Sequence, residues 1–251
     1  MKTKLFWLLI LLMPIIVFAI FPLGENYPIK AQEPGIVVHE APESKKYEFV
    51  NGYRSLKIAS NQVDLIFKVV DTSLPYLKVT ADSNLLKQIK IELKERNPQN
   101  PTDKNTQLSI SVAGNIPPAK EIICEIGVNS LYNIDIDSDA KVRFAGVLTG
   151  ESKRGVGKAM DITHAGSGQA ELTINVDEVK FDAENSSGTI IIQGESKDTF
   201  TVFSCGVACK LDLSRLISAD IELNGSGLVT VAPKKFLSTS LQEPGGVLYL
   251  R

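Results

Sequence analysis

Asp135, Asp137 and Asp139 stand two residues apart in the run Asn133-Ile134-Asp135-Ile136-Asp137-Ser138-Asp139-Ala140. In an extended strand alternate side chains share a face, so the three carboxylates would point the same way. Such clusters suit two chemistries. One is paired-acid attack on a glycosidic link, as in lyases and hydrolases built on β-helices; the other is oxygen ligation of a hard cation such as calcium. A carbohydrate-active enzyme would also want aromatic platforms beside the acids, and only Tyr132 and Phe144 lie near in sequence. The plainer reading, and the one taken, is that the carboxylates solvate an outer wall and pair with Lys141 and Arg143 further along.

A second group is basic. Lys153, Arg154 and Lys158 lie in Gly150-Glu151-Ser152-Lys153-Arg154-Gly155-Val156-Gly157-Lys158, which is glycine-rich and aperiodic. It reads as a loop that could touch anionic glycans or lipid headgroups, although most three-charge loops are only soluble. The remaining chemistry is thin. Two histidines, His39 and His164, do not make a histidine-rich metal site, and no serine has an evident histidine partner. His164 is expected to face solvent. Gly155-Val156-Gly157-Lys158-Ala159 lacks the spacing and the hydroxyl of a phosphate-binding loop. Of three cysteines, Cys124 sits in an apolar run, while Cys205 and Cys209 are four apart, close enough for a local disulfide in an oxidising compartment. No catalytic residue, metal or cofactor is expected.

The elements that would carry these groups declare themselves by a period. Gly166-Ser167-Gly168, Ser186-Ser187-Gly188, Cys205-Gly206-Val207, Gly225-Ser226-Gly227 and Pro244-Gly245-Gly246 end 20, 19, 20 and 19 residues apart. Counting from each third residue, position +2 is Ala170, Ile190, Cys209, Val229 and Leu248, and position +4 is Leu172, Ile192, Leu211, Val231 and Leu250. All are apolar, and most residues between them are polar, which is the alternation of a half-buried strand. Glycine and serine suit the corners, where a bend needs positive φ or a side chain bonding its own backbone. Ala140, Val142 and Phe144 extend the register backwards. A fixed period near twenty implies coils that bury their apolar faces only by stacking.

Residues 47 to 126 also read as strands: Tyr53 to Ile58, Val63 to Val70, Leu77 to Thr80, Ile89 to Leu93, Leu108 to Val112 and Ile122 to Ile126, with at most a helical turn or two over Ser83 to Gln88. The turn-rich stretch Asn97-Pro98-Gln99-Asn100-Pro101 separates two of them. Pro22, Pro28, Pro34 and Pro42 mark residues 22–46 as a linker. Ahead of it, Lys2 and Lys4 precede an uncharged apolar run from Leu5 to Phe21. That is an export signal, either cleaved after Ala19 or Ala31 or retained as an N-terminal anchor. The chain has 251 residues, a formal charge of -2 and 7% aromatics, giving no electrostatic reason to expect a nucleic-acid partner.

The order of features resembles a known family, the exported GIN domain, named as a putative auto-transporter adhesin head. The opening strand Tyr53-Arg54-Ser55-Leu56-Lys57-Ile58, the segment Leu77-Lys78-Val79-Thr80-Ala81-Asp82-Ser83-Asn84-Leu85-Leu86 and the Gly-Ser-Gly ladder from 166 onward carry the resemblance over residues 50 to 251. Ser138-Asp139-Ala140 replaces the family's first Gly-Ser-Gly, Gly127-Val128-Asn129-Ser130-Leu131 replaces its usual proline-containing approach to the solenoid, and the 150–158 insertion is atypical. The resemblance implies a right-handed parallel β-helix and a cell-surface, adhesion-like role, and it supplies no catalytic residues.

The expectations are therefore an all-β protein: a signal or anchor at 1–21, a proline-rich linker at 22–46, and at 47–251 a β-rich segment leading into a right-handed parallel β-solenoid of 19–20 residues per coil. It would be a periplasmic, surface or secreted interaction module with a glycan or protein ligand. The competing reading is a carbohydrate-active enzyme using the Asp135 to Asp139 ladder. The last strand, Val247 to Arg251, is expected to present an open edge for self-association, tunable at Leu248 and Leu250.

Overall fold

The computed structural model of the chain describes residues 29–33, 36–41, 43–95, 106–113, 121–155, 157–206, 208–223, 227–231, 239–241 and 247–250. The segment at 1–21 expected to be an export signal or anchor, the stretch Asn97 to Pro101, Asn224-Gly225 and the expected corner Pro244 to Gly246 lie outside the described residues.

Strand alternation in the sequence becomes strand in the fold. The first half gives β1 (Ile29–Glu33), β2 (Ile36–Ala41), β3 (Ser44–Phe49), β4 (Ser55–Ser60), β5 (Asp64–Val70), β6 (Tyr76–Thr80), the short helix α1 (Ser83–Leu86), β7 (Ile89–Glu95), β8 (Thr106–Val112) and β9 (Glu121–Gly127). The second half gives β10 (Asn133–Ser138), β11 (Val142–Thr149), β12 (Glu151–Lys153), β13 (Gly157–Ala165), β14 (Gln169–Ala183), β15 (Thr189–Cys205), β16 (Lys210–Leu223), β17 (Leu228–Val231), β18 (Thr239–Leu241) and β19 (Val247–Leu250). The segment expected to be a linker instead holds β1, β2 and the start of β3. β1 pairs antiparallel with β2, β2 with β3, and β3 with β6.

Two walls of parallel strands enclose one core. In the first wall β8, β4, β10, β13 and the far half of β14 pair in parallel, continuing through the far halves of β15 and β16 to β18. In the second, β9, β5, β11 and the near half of β14 do the same, continuing through β15, β16 and β17 to β19. One column of inward residues runs through the second wall: Ile122, Leu65, Val142, Ala170, Ile190, Leu211 and Val229, all buried, with Leu248 next in backbone register. A second column crosses the first wall as Leu108, Leu56, Ile134, Ile162, Phe181 and Val202, all buried.

The expected right-handed parallel β-helix is met in part: the coils pair in parallel, yet the sheet as a whole is mixed. The rung made by β8 and β9 lies outside the rung made by β4 and β5, so space and sequence run in different orders there. Antiparallel strands close that end, β7 on β8 and β6 on β9. Lys90 and Lys94 both pair with Glu92 on β7, and such charges on a border strand discourage pairing with another chain.

The register of the third coil also departs from expectation. Ile190 pairs with Leu211, not with Cys209, and Ile191 with Asp212. The strand starts at Lys210, so Cys209 belongs to the corner, and Leu211 and Leu213 take the two core positions expected for Cys209 and Leu211.

The corners are built differently from expectation as well. Gly168, Gly188 and Gly227 have ordinary φ values, and among the described corner glycines only Gly166 is in the left-handed region, at +91°. Glycine is required at 168 and 188 by close approach, since a Cβ at Gly188 would land on the carbonyl oxygen of Gly168, and one at Gly168 on that of Ala140. Serines complete the bends. Ser60 Oγ donates to Val63 O at 2.7 Å, Ser138 Oγ to Ser60 O at 2.6 Å and Ser218 Oγ to Asp220 O at 2.9 Å, side-chain bonds that brace the backbone at the bends.

Candidate functional site

The three aspartates do not form one free cluster. Asp135 and Asp137 are on β10 and Asp139 follows its end. Asp135 accepts from Asn133 Nδ2 at 2.8 Å and from Gln107 Nε2 at 3.1 Å, which ties β10 to β8 two strands away. Asp139 accepts from the backbone N–H and the hydroxyl of Ser167, both at 2.8 Å, which staples one corner to the next. Those two bonds hold the Asp139 carboxyl below the usual aspartate range. The expected partners go elsewhere: Lys141 and Arg143 both pair with Glu171, at 2.9 and 3.5 Å. Of the two nearby aromatics, Tyr132 lies under the Arg54 guanidinium, 5.7 Å from ring centroid, and Phe144 is buried against Phe67 at 4.9 Å. Among the described residues no three His, Cys, Asp or Glu side chains converge on a metal-sized space.

The basic segment is a hairpin rather than an aperiodic loop. β12 pairs antiparallel with the start of β13, placing Lys153 opposite Gly157 and Ser152 opposite Lys158. Arg54 grips its base, with Nε 2.8 and 2.7 Å from the Glu151 carboxylate oxygens. The Lys158 N–H donates to Asp177 at 2.6 Å. Lys153, Arg154 and Lys158 are exposed. They lie at the opening of β13, whereas Asp135 and Asp137 align with Thr163 and Ala165 at its end, so the structure separates the basic and acidic groups.

His164 contradicts the expected solvent-facing position. It is only 2% exposed and occupies the core column beneath Ile136, itself aligned with Ile58. Its Nδ1 lies 2.9 Å from Ser186 Oγ, which accepts the Gly188 N–H at 3.1 Å, and its Nε2 has no partner. Burial drives its pKa from 6.5 down to about 4 against the opposing pull of Asp137. Cys124, Cys205 and Cys209 are all buried free thiols.

A further group of outward polar side chains from neighbouring strands was not singled out by sequence. Arg143, Ala145, Gly146, Glu171, Thr173, Ile191, Gln193, Asp212 and Arg215 line a groove of about 460 Å³ on the outer face of the second wall. Two register shifts shape it. β11 keeps step with β5 through Ala145, but against β14 it passes from Arg143↔Glu171 to Val147↔Thr173, so its backbone bulges away. Gly146 makes this bend at φ +130°, where a Cβ would lie 2.9 Å from Val69 Cβ. On the far side β15 and β16 pass from Ile191↔Asp212 to Gln193↔Arg215, an added residue that swings Arg215 to the groove, while Asp212 accepts the Ser214 N–H at 2.9 Å. Gln193 Nε2 donates to Thr173 Oγ1 at 2.8 Å, tying the two side chains across the coils. The sequence signal was the isolated Gly146 inside a strand, which marks a bulge.

Parallel walls closed at one end by antiparallel strands define an all-β scaffold with a mixed sheet. The chain belongs to the family described as "Putative auto-transporter adhesin, head GIN domain", which matches residues 52–250. Among solved structures, a putative adhesin from Bacteroides fragilis is 15% identical with a TM-score of 0.59, covering 84% of this chain and 93% of that one. A putative adhesin from Parabacteroides distasonis is 16% identical with a TM-score of 0.46, covering 83% and 93%. The first likeness supports the shared fold. No curated protein is similar to the chain.

Proposed function

We propose that the protein is an exported, non-enzymatic interaction module of the cell surface or envelope, wound as a right-handed β-helix, that binds its ligand on the outer face of the second wall. The observation that carries this reading is the groove from Arg143 to Arg215, in which four successive strands hold polar side chains at ladder spacing over a packed core. Such a wall changes shape little on binding, so a ligand meets groups already in place.

The enzymatic alternative at Asp135, Asp137 and Asp139 has less support. A general acid needs a carboxyl kept protonated near neutrality, and Asp139 is shifted the other way. Asp135 is held by Asn133 and Gln107, and Tyr132 is covered by Arg54 instead of lying open to a sugar. Export through residues 1–21, with cleavage or anchoring there, is part of the proposal, as is self-association through β19, which pairs with β17 in parallel.

The test is a glycan and protein array run on the full chain together with a polysaccharide lyase and hydrolase screen. Binding without turnover is expected. Turnover abolished by Asp137→Ala would overturn the reading in favour of the enzyme.

A further inference from the structure

The geometry points to a carboxylate-bearing glycan as the ligand of the groove, anchored by Arg215; this rests on the reading of the protein as an interaction module. Lining groups are the guide to ligand chemistry. Pockets for apolar small molecules are walled mainly by hydrophobic and aromatic side chains. Here the apolar lining is Ile191, Ala145 and the buried core side chains Phe144 and Leu172, and the exposed surface is set by Glu171, Thr173, Gln193 and Asp212, a closely spaced set of donors and acceptors that suits a ligand with a hydroxyl on most carbons. An acidic peptide fits less well. The backbone of β14, β15 and β16 is committed to the parallel ladders, so little main chain is free for strand addition, and few apolar surfaces await peptide side chains.

The groove's charges balance, Arg143 and Arg215 against Glu171 and Asp212, and what argues for an acidic sugar is the guanidinium left without a partner among the described residues. Glu171 is already matched by Lys141 and Arg143 and also accepts from Gln169 Nε2 at 2.8 Å. Arg215 is exposed and has no ion pair or hydrogen bond among the described residues. A guanidinium in that position presents a planar fork of donors that a carboxylate satisfies in two parallel bonds, which an ammonium cannot reproduce. Arg143 and Arg215 sit on β11 and β16, three ladder steps apart and two residues out of row, so their backbones are about 16 Å apart. That span lets an extended chain of sugars cross the strands with a carboxylate at Arg215 and its hydroxyls over Gln193, Thr173 and the Glu171–Arg143 pair.

The experiment is titration calorimetry of the full chain with three probes: an oligogalacturonate, its methyl ester of equal length, and poly-glutamate. The oligogalacturonate should bind, the ester at least tenfold more weakly and poly-glutamate more weakly still. Arg215→Ala should weaken oligogalacturonate binding tenfold or more, Arg215→Lys should recover only part, and a Lys153→Ala, Lys158→Ala double variant should bind as the parent does. Arg215 makes no internal bond, so the variants should melt as the parent does, and a circular dichroism melt checks this. Equal binding of acid and ester, preference for poly-glutamate, or indifference to Arg215→Ala overturns this inference and leaves the interaction module standing. Silence from all three probes overturns it as well; silence on the glycan and protein arrays too would remove the broader reading.

Discussion

Gly188 lies directly over Gly168, one coil above the other, so close that a methyl group on the upper residue would overlap the carbonyl oxygen of the lower. The same site would also bring that methyl within 3.0 Å of His164 Cε1. The recurrence of glycine every twenty residues therefore records a stacking distance. Parallel rungs at about 4.8 Å leave no room for a side chain between corner backbones.

Gly188→Ala should therefore destabilise the fold by about 1–3 kcal/mol or more, because neither backbone can yield without breaking ladder bonds. Ser187→Ala, one residue away and exposed, should be within about 0.5 kcal/mol of the parent. Denaturant melts of the pair check the claim. Equal losses would mean the corners do not stack.

The core columns make a second prediction. Leu211 is 1% exposed and stacked between Ile190 and Val229, so Leu211→Ala should lose about 2–5 kcal/mol through the cavity it leaves. Lys210→Ala, its exposed neighbour, should be nearly silent. A comparable loss at both positions would contradict the register.

His164 sets the third. Its folded pKa of about 4 lies below the unfolded value of 6.5, so between those values the unfolded chain binds the extra proton. Stability from keeping this ring neutral is fully present above pH 6.5, falls as pH drops toward 4, and amounts to on the order of 3 kcal/mol. His164→Met should flatten that part of the stability profile whatever it does to stability at pH 7. An unchanged slope between pH 6.5 and 4 in urea titrations would show that the ring is not the group responsible.

Much of the fold was legible because strands write their burial into alternate residues. Ala170, Ile190, Val229 and Leu248 were readable as one column from sequence alone, and the structure aligns them. Cys209 was misplaced by two residues because Cys205-Gly206-Val207 resembles the other corners, while the strand begins only at Lys210. His164 was misread although it alternates with Met160 and Ile162, both buried; its polarity outweighed its position. The rung order of the first half was hidden, since β8 and β9 stack outside β4 and β5 and no local period records a choice between distant strands. The groove was least legible. It depends on Gly146 bending β11 away from β14 and on an added residue bringing Arg215 beside Gln193, and both are relations between coils.

The most direct test of the account is a nuclear magnetic resonance titration of the full chain with oligogalacturonate, which reports where ligand binds and whether it is cleaved. The account predicts shifts centred on Arg143, Thr173, Gln193 and Arg215 with the oligosaccharide signals intact after prolonged incubation. Shifts centred on Asp135 to Asp139, or the appearance of cleaved product, would contradict it.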